Sequence, residues 1–126
     1  MPPVLPRLGV AFEAIRRRGA ATWLVTWRIT VRGDTAFQVV EAWHPHGRFR
    51  SSRLRRALRV PPRGSASLEL PARIDAGPGD VVENCFVIFR ATRGRQRWRI
   101  LARFTLRLDA AGTPRPEVER VDVEAA

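Results

Sequence analysis

Apolar and polar residues alternate with a period of two in two long segments of the chain. Residues 22–32 carry Trp, Val, Trp, Ile and Val at every second position, and residues 97–108 carry Trp, Ile, Ala, Phe, Leu and Leu in the same way. Successive side chains of a strand point to opposite faces, so the pattern predicts two long strands, each with one buried and one solvent-facing side. The Thr, Val, Ile and Trp residues of the first segment also favour strands.

Five further segments predict strands. Residues 85–89, with the sequence Cys-Phe-Val-Ile-Phe, are apolar on both faces, which predicts a central strand at 81–91. Gly94 lies in the short segment before residue 97, so these two strands are expected to form a hairpin. The other predicted strands are residues 8–15, 35–43, 65–70 and 118–123, with Pro71 suiting a strand end or a sheet edge.

Residues 51–58 favour a short helix. Ser51 or Ser52 can cap a helix, and Leu54 and Leu58 stand four residues apart, so one or two helical turns are expected. Seven strands with turn residues between them, and no long segment of helical period, predict an all-β fold. The architecture we expect is an antiparallel β-sandwich of about seven strands.

The alternating strand at residues 23–31, followed by the Pro-Pro-Arg-Gly-Ser turn of 61–65 and the alternating strand after it, resembles bacterial immunoglobulin-like sandwich domains. The resemblance covers residues 20–108 and implies an immunoglobulin-like module for adhesion, spacing or partner binding, without catalysis. The chain departs from antibody-type members, because it has one cysteine and no tyrosine and therefore has neither the cysteine pair nor the tyrosine corner.

The length of 126 residues suits one domain, residues 1–126, in which we expect 1–6 and 124–126 to fray. Cys85 is the sole cysteine, so the sandwich has no internal disulfide and a reducing compartment is the default. We find no apolar run long enough for a signal peptide or a membrane span. The expected location is cytoplasmic, without membrane insertion.

The charge of the chain carries the sharpest indication of a partner. All 23 basic residues are arginines, against 12 acidic residues, which gives a net charge of +11. A GC-rich coding bias explains arginine in place of lysine, but it does not explain the excess of bases over acids. The planar guanidinium binds carboxylates and phosphates through two parallel hydrogen bonds. The candidate residues for an acidic protein or a polyanion lie in an Arg-rich loop and at a hairpin tip: Arg48, Arg50, Arg53, Arg55, Arg56, Arg93, Arg95 and Arg97.

Whether other arginines join them depends on strand order. If strands 22–32 and 97–108 lie in different sheets, their polar faces, which carry Arg28 on the first and Arg103 on the second, point to opposite sides of the sandwich. If they share a sheet, those arginines form one broad basic face.

Glu41, His44 and His46 are the candidate metal ligands. On an extended chain the two histidines face the same way, but the chain has no third histidine, and the next acid after them is Glu69. A strand-ending turn built on Pro45 is the competing interpretation, and we predict no metal and no other cofactor.

Catalysis is not expected either, because no serine lies in a nucleophile context and the only cysteine lies in an apolar run. A small-molecule substrate is likewise not expected. The leading hypothesis is a non-catalytic immunoglobulin-like module that binds an acidic protein. The alternative is a nucleic-acid-binding domain that uses the Arg-rich loop and the hairpin tip, and a metal-dependent enzyme at His44 and His46 is the least favoured.

Overall fold

The computed structural model describes residues 5–126, whose regular structure consists of ten β-strands. They are β1 (Leu8–Arg17), β2 (Thr22–Val31), β3 (Phe37–Trp43), β4 (Pro45–His46), β5 (Phe49–Arg50), β6 (Leu54–Val60), β7 (Ser65–Ile74), β8 (Val81–Arg93), β9 (Gln96–Leu108) and β10 (Pro114–Ala125). No helix in the described part is long and apolar enough to cross a membrane.

Two antiparallel sheets of five strands pack face to face. Sheet A has the order β1-β2-β7-β5-β4, and sheet B has the order β10-β9-β8-β3-β6. The prediction of an all-β antiparallel sandwich without a disulfide is confirmed. The seven predicted strands correspond to β1, β2, β3, β7, β8, β9 and β10, so the three strands that the pattern did not predict all lie between residues 45 and 60.

The helix predicted at 51–58 is wrong, because this segment contributes most of strand β6. Leu54 and Leu58 are both partly buried against the core, while Arg55 and Arg59 are exposed. A spacing of four residues places two side chains on one side of a strand as well as of a helix. Pairing with β3 decides the outcome, since it supplies backbone hydrogen-bond partners that are distant in sequence.

One hydrophobic core fills the space between the sheets. Trp27 of sheet A packs against Phe104 of sheet B with 5.2 Å between ring centroids, and Phe49 meets Phe104 edge to face at 5.1 Å. All three side chains are fully buried. The predicted inward faces of 22–32 and 97–108 therefore supply the two halves of this core.

Strand β7 continues through Pro71 to Ile74, beyond the end predicted at residue 70. Pro71 lies opposite Leu24 of β2, whereas β5 pairs only with Arg73 and Ile74 on the other side. A proline is tolerated there because β7 has one strand neighbour at that point, and its carbonyl accepts a hydrogen bond from the His44 ring.

Fraying is predicted at both chain ends, residues 1–6 and 124–126. Residues 1–4 lie outside the described residues. At the other end, Glu124 and Ala125 pair with β9, and the Ala126 amide donates to the Arg97 carbonyl at 3.0 Å. Strand β10 is thus held along its whole length.

Strands β2 and β9 lie in different sheets. The solvent-facing arginines of β2, such as Arg28, and those of β9, such as Arg103, consequently point to opposite sides of the sandwich. Their polar faces do not form one patch, as expected for this strand order. The arginines that do gather come from strands of sheet B, and they include two residues of β9 itself, Arg97 and Arg99.

Candidate functional site

The outer face of sheet B carries a row of charged residues, one from each of its five strands. The register aligns Arg55, Glu41, Arg90, Arg99 and Glu124 across β6, β3, β8, β9 and β10. A neighbouring row is formed by Arg59, Gln38, Thr92 and Arg97. Adjacent strands are about 4.8 Å apart, so Arg59 and Arg97 are separated by about 14 Å at the backbone.

Arg90 and Arg99 stand directly opposite each other on β8 and β9. Each has its acidic neighbour on the far side: Arg90 Nη1 lies 4.0 Å from Glu41 Oε1, and Arg99 Nε donates to Glu124 Oε1 at 2.8 Å. Like charges opposed across two strands repel each other. The middle of the face is therefore cationic, and an anion placed between these two guanidinium groups would be attracted by both.

Two adjoining cavities open on this face, and we refer to them together as the basic cleft. The first, of about 310 Å³, is lined by Val40, Glu41, Arg55, Arg90, Thr92 and Arg97 among others. The second, of about 300 Å³, is lined by Trp43, Arg53, Arg90 and Arg99 together with the last two residues of the chain. Both share Arg90, so the two cavities together are lined by five arginines and by one acidic side chain, that of Glu41.

Glu41 lies between two arginines, and its Oε1 has no hydrogen-bond partner among residues 5–126. Its Oε1 is buried and lies 3.8 Å from Arg53 Nη1 and 4.0 Å from Arg90 Nη1, beyond hydrogen-bond distance. Glu41 thus partly balances the charge of the cleft without consuming the donors of these two arginines. A carboxylate or phosphate entering the cleft would find guanidinium N–H groups that are still free of Glu41.

Several arginines around the cleft have no acidic partner. Within residues 5–126, no ion pair involves Arg55, Arg56, Arg59, Arg95 or Arg97, whereas twelve ion pairs are formed elsewhere or at the cleft's margins. All five belong to β6 or to the β8–β9 hairpin. These five arginines leave unbalanced positive charge at this end of sheet B.

The structure brings together part of the set predicted for an acidic partner. Arg53 and Arg55, from the residue before β6 and from β6 itself, line the cleft, and Arg97 lies across β3 and β8 from them. Arg56 belongs to the same strand but lines neither cavity. Arg95 is exposed in the turn of the same hairpin. The Arg-rich loop expected over these positions is in fact a strand, which fixes the spacing of its side chains.

Arg48 and Arg50 lie apart from the cleft, next to sheet A. Arg48 Nε donates to the Asp75 carbonyl at 2.9 Å, and Arg50 Nη1 donates to Asp75 Oδ2 at 2.5 Å. The hydrogen bond from Arg50 lowers the pKa of the Asp75 carboxyl. These two arginines are thus engaged in an ion-pair network that joins β5 to the end of β7.

Arg93 has a packing role at the hairpin. Its guanidinium lies 5.4 Å from the Trp98 ring centroid and 5.7 Å from that of Phe37, and its Nη2 donates to Gln96 Oε1 at 2.9 Å. Removing Arg93 would therefore disturb the end of the core. Arg95 and Arg97 are the better probes of binding on this hairpin.

Sequence reasoning missed Arg59, Arg90 and Arg99 as members of this site. Each occupies a solvent-facing position that the alternation of its own strand shows, but their convergence depends on the pairing of β6 with β3 and of β3 with β8. Trp43, on the same face, is only 8% exposed because the Arg53 guanidinium lies 4.3 Å above its ring.

The three candidate metal ligands are not brought together. His44 is fully buried; its Nε2 accepts from Trp27 Nε1 at 3.0 Å and its Nδ1 donates to the Pro71 carbonyl at 3.2 Å. Glu41 faces the basic cleft on the outer side of sheet B, and His46 Nδ1 accepts from the Arg48 amide at 3.0 Å. Within residues 5–126 no cluster of three or more His, Cys, Asp or Glu side chains is placed to hold a metal ion.

Cys85 lies in the core, where its thiol donates to the Val82 carbonyl at 3.7 Å. Burial raises the pKa of the thiol to about 11. The thiolate, which is the nucleophilic form, is therefore scarce near neutral pH.

Comparison of the chain with protein-family models, with curated proteins and with solved structures gave no match. The chemistry of the basic cleft is therefore the basis on which a function is assigned. Its arginines offer hydrogen-bond donors and positive charge, and both features select anionic groups.

Proposed function

We propose that the protein is a non-catalytic, immunoglobulin-like binding module whose basic cleft binds an acidic polypeptide. The observation that carries the proposal is the opposed pair of Arg90 and Arg99, flanked by Arg55 and Arg97, which form no ion pair with any residue from 5 to 126. A carboxylate bound between the opposed arginines would relieve their repulsion and would accept hydrogen bonds from their free N–H groups.

The size of the cleft favours side chains of a polypeptide. Each of its two cavities measures about 300 Å³, at the lower end of the range for ligand pockets, and would accommodate a Glu or Asp side chain with its neighbours. The proposed partner is therefore an acidic segment that places successive carboxylates over the two rows of arginines.

Nucleic acid is the second candidate, and one observation bears on it. Guanidinium groups bind phosphate as well as carboxylate, and Arg55, Arg95 and Arg97 would be the phosphate contacts. Single-stranded nucleic acids, however, gain much of their affinity by stacking bases on aromatic rings. All four tryptophans are 8% exposed or less, so the cleft would offer a base little tryptophan surface for stacking.

The proposal of a non-catalytic module is supported by the state of two side chains, His44 and Cys85. His44 has both ring nitrogens hydrogen-bonded in the core, and Cys85 is buried with a raised pKa. A cytoplasmic location is proposed on the ground that this single thiol is free.

The test compares two triple variants of equal charge. Arg55→Ser/Arg59→Ser/Arg97→Ser removes three unpaired arginines at the cleft, and Arg18→Ser/Arg32→Ser/Arg115→Ser removes three exposed arginines elsewhere that likewise form no ion pair within residues 5–126. Binding of poly-L-glutamate is measured by titration calorimetry. The cleft variant is expected to bind about tenfold or more weakly, and the control variant to stay close to the parent protein.

Equal losses in both variants would overturn the assignment, since they would show that net charge alone governs binding. A mixed-sequence DNA duplex serves as the second probe. DNA binding tighter than polyglutamate binding, with log K falling by about 0.9 per phosphate contact for each tenfold rise in salt, would favour the nucleic-acid candidate.

A further inference from the structure

Strand β6 forms one end of sheet B and pairs with β3 alone among residues 5–126. An edge strand presents alternate backbone N–H and C=O groups that no strand partner satisfies. With seven residues, β6 is long enough to align a further strand. Its free edge adjoins the basic cleft, because Arg55 belongs to both.

The charges of this edge select the kind of strand that can pair with it. Residues 53–59 contain four arginines and no acid, and the stretch from 42 to 68 contains no acid at all. Charges on an edge prevent like-charged strands from pairing, so two copies of β6 repel each other. A strand that carries carboxylates is attracted by the same charges.

The opposite edge of sheet B is strand β10, whose acidic side chains already form ion pairs. Its four acidic residues each pair with an arginine of the same sheet: Glu117 with Arg107, Glu119 with Arg103, Asp122 with Arg120 and Glu124 with Arg99. Pairing β10 of one copy with β6 of another would require these ion pairs to be shared or broken. An acidic segment of a different polypeptide has no such cost.

We propose that the acidic partner binds as an added strand along β6, which extends sheet B to six strands. The backbone of the segment would pair with the free groups of β6, and its outward side chains would lie about 5 Å from the positions of Arg55 and Arg59. This inference rests on the function proposed above and adds the mode of binding: backbone pairing supplies part of the affinity, and carboxylates at every second position supply the specificity.

The test uses a short synthetic peptide that alternates Glu and Val, with blocked ends. Amide hydrogen exchange is followed by NMR in the free protein and at saturating peptide. Strand addition is expected to slow the exchange of alternate amides in β6 by about tenfold or more, while β10, the other edge of the sheet, is unchanged. Two analogues of equal charge serve as controls, one N-methylated at the Glu amides and the other at the Val amides. At least one of them is expected to bind about tenfold more weakly than the unmethylated peptide.

The outcomes separate the two proposals. A peptide that binds with unchanged exchange in β6, and whose methylated analogues bind equally well, would overturn strand addition but leave the acidic-partner proposal intact. A peptide that does not bind would overturn both. Slowed exchange in both β6 and β10, with a rise in molecular mass by light scattering, would indicate pairing between copies and would also overturn the proposal.

Discussion

The indole N–H of Trp27 donates a hydrogen bond of 3.0 Å to Nε2 of His44 in the middle of the core. The other ring nitrogen of His44 is 3.2 Å from the Pro71 carbonyl, which can only accept. The ring must therefore be neutral, with its proton on Nδ1. This arrangement joins β2, the segment between β3 and β4, and β7, and it makes the stability of the sandwich depend on the protonation of one side chain.

Mild acid should destabilise the protein through His44. Burial lowers the pKa of His44 to about 3 from an ordinary value of 6.5, so between these values the unfolded chain binds a proton that the native chain does not. Above pH 6.5 His44 is neutral in both states and does not lower the free energy of unfolding. As the pH falls from 6.5 toward 3, His44 lowers the free energy of unfolding progressively. From pH 8 to pH 5 the free energy of unfolding should drop by about 2 kcal/mol from this group, as measured by urea unfolding.

The variant His44→Leu is the control for this prediction. Asp75 and Glu13 also have lowered pKa values, but their ordinary values of 3.8 and 4.5 lie below pH 5, so their stabilising effect is lost mainly at lower pH. The variant should be less stable overall and should show little of the decrease between pH 8 and pH 5. A decrease of the same size in the variant would contradict the assignment to His44.

Removing the indole donor should also destabilise the core. Trp27→Phe keeps an aromatic ring beside Phe104 but leaves His44 Nε2 buried without a donor, which costs about 1–3 kcal/mol in addition to the lost packing. Guanidinium chloride unfolding measures the loss. In the double variant with His44→Leu, the loss should be smaller than the sum of the single losses, and additivity would argue that the hydrogen bond contributes nothing.

The sequence predicts those strands whose own pattern of apolar and polar residues is enough to distinguish a strand from a helix. In β2, alternation of Trp23 to Val31 places five apolar side chains on one face, and burial of that face is enough to fix a strand. In β6, Leu54 and Leu58 fit a helix equally well, and the partner strand β3 is distant in sequence. The pattern of a single segment cannot show that partner.

The basic cleft required the same non-local information. The sequence suggests Glu41 as a metal ligand because it precedes His44 by three residues, yet Glu41 faces the basic cleft whereas His44 is buried in the core. The register instead places Glu41 between Arg55 of β6 and Arg90 of β8, two strands that are distant from each other in sequence. Arginine composition therefore predicts that an anion is bound, whereas the location of the site depends on strand order.

The turn between β6 and β7 should be sensitive to a single methyl group. A Cβ added at Gly64 would lie 2.7 Å from Cγ of Pro61, and the Gly64 carbonyl accepts a hydrogen bond from the Val31 amide at 2.8 Å, so the turn has little room to move. Gly64→Ala should cost about 1–3 kcal/mol in thermal or denaturant unfolding. Gly33→Ala is the matched control, because among residues 5–126 no atom outside its chain neighbours lies within 4 Å of its added Cβ, and it should be close to neutral. Equal stability of the two variants would contradict the predicted clash.

Cys85 should report on the opening of the sandwich. The thiol is fully buried and its pKa is raised to about 11, against an ordinary value of 9.0, so at pH 8 the native protein holds roughly a hundredfold less thiolate than the unfolded chain. Alkylation by iodoacetamide should therefore be at least about a hundredfold slower in buffer than in concentrated guanidinium chloride, with mass spectrometry as the readout. Because the reagent reaches the sulfur only when β8 separates from the core, Trp27→Phe should accelerate labelling in proportion to its loss of stability. Labelling of the native protein at the rate of the unfolded chain would show that Cys85 is accessible and would contradict the packing of β8 against the core.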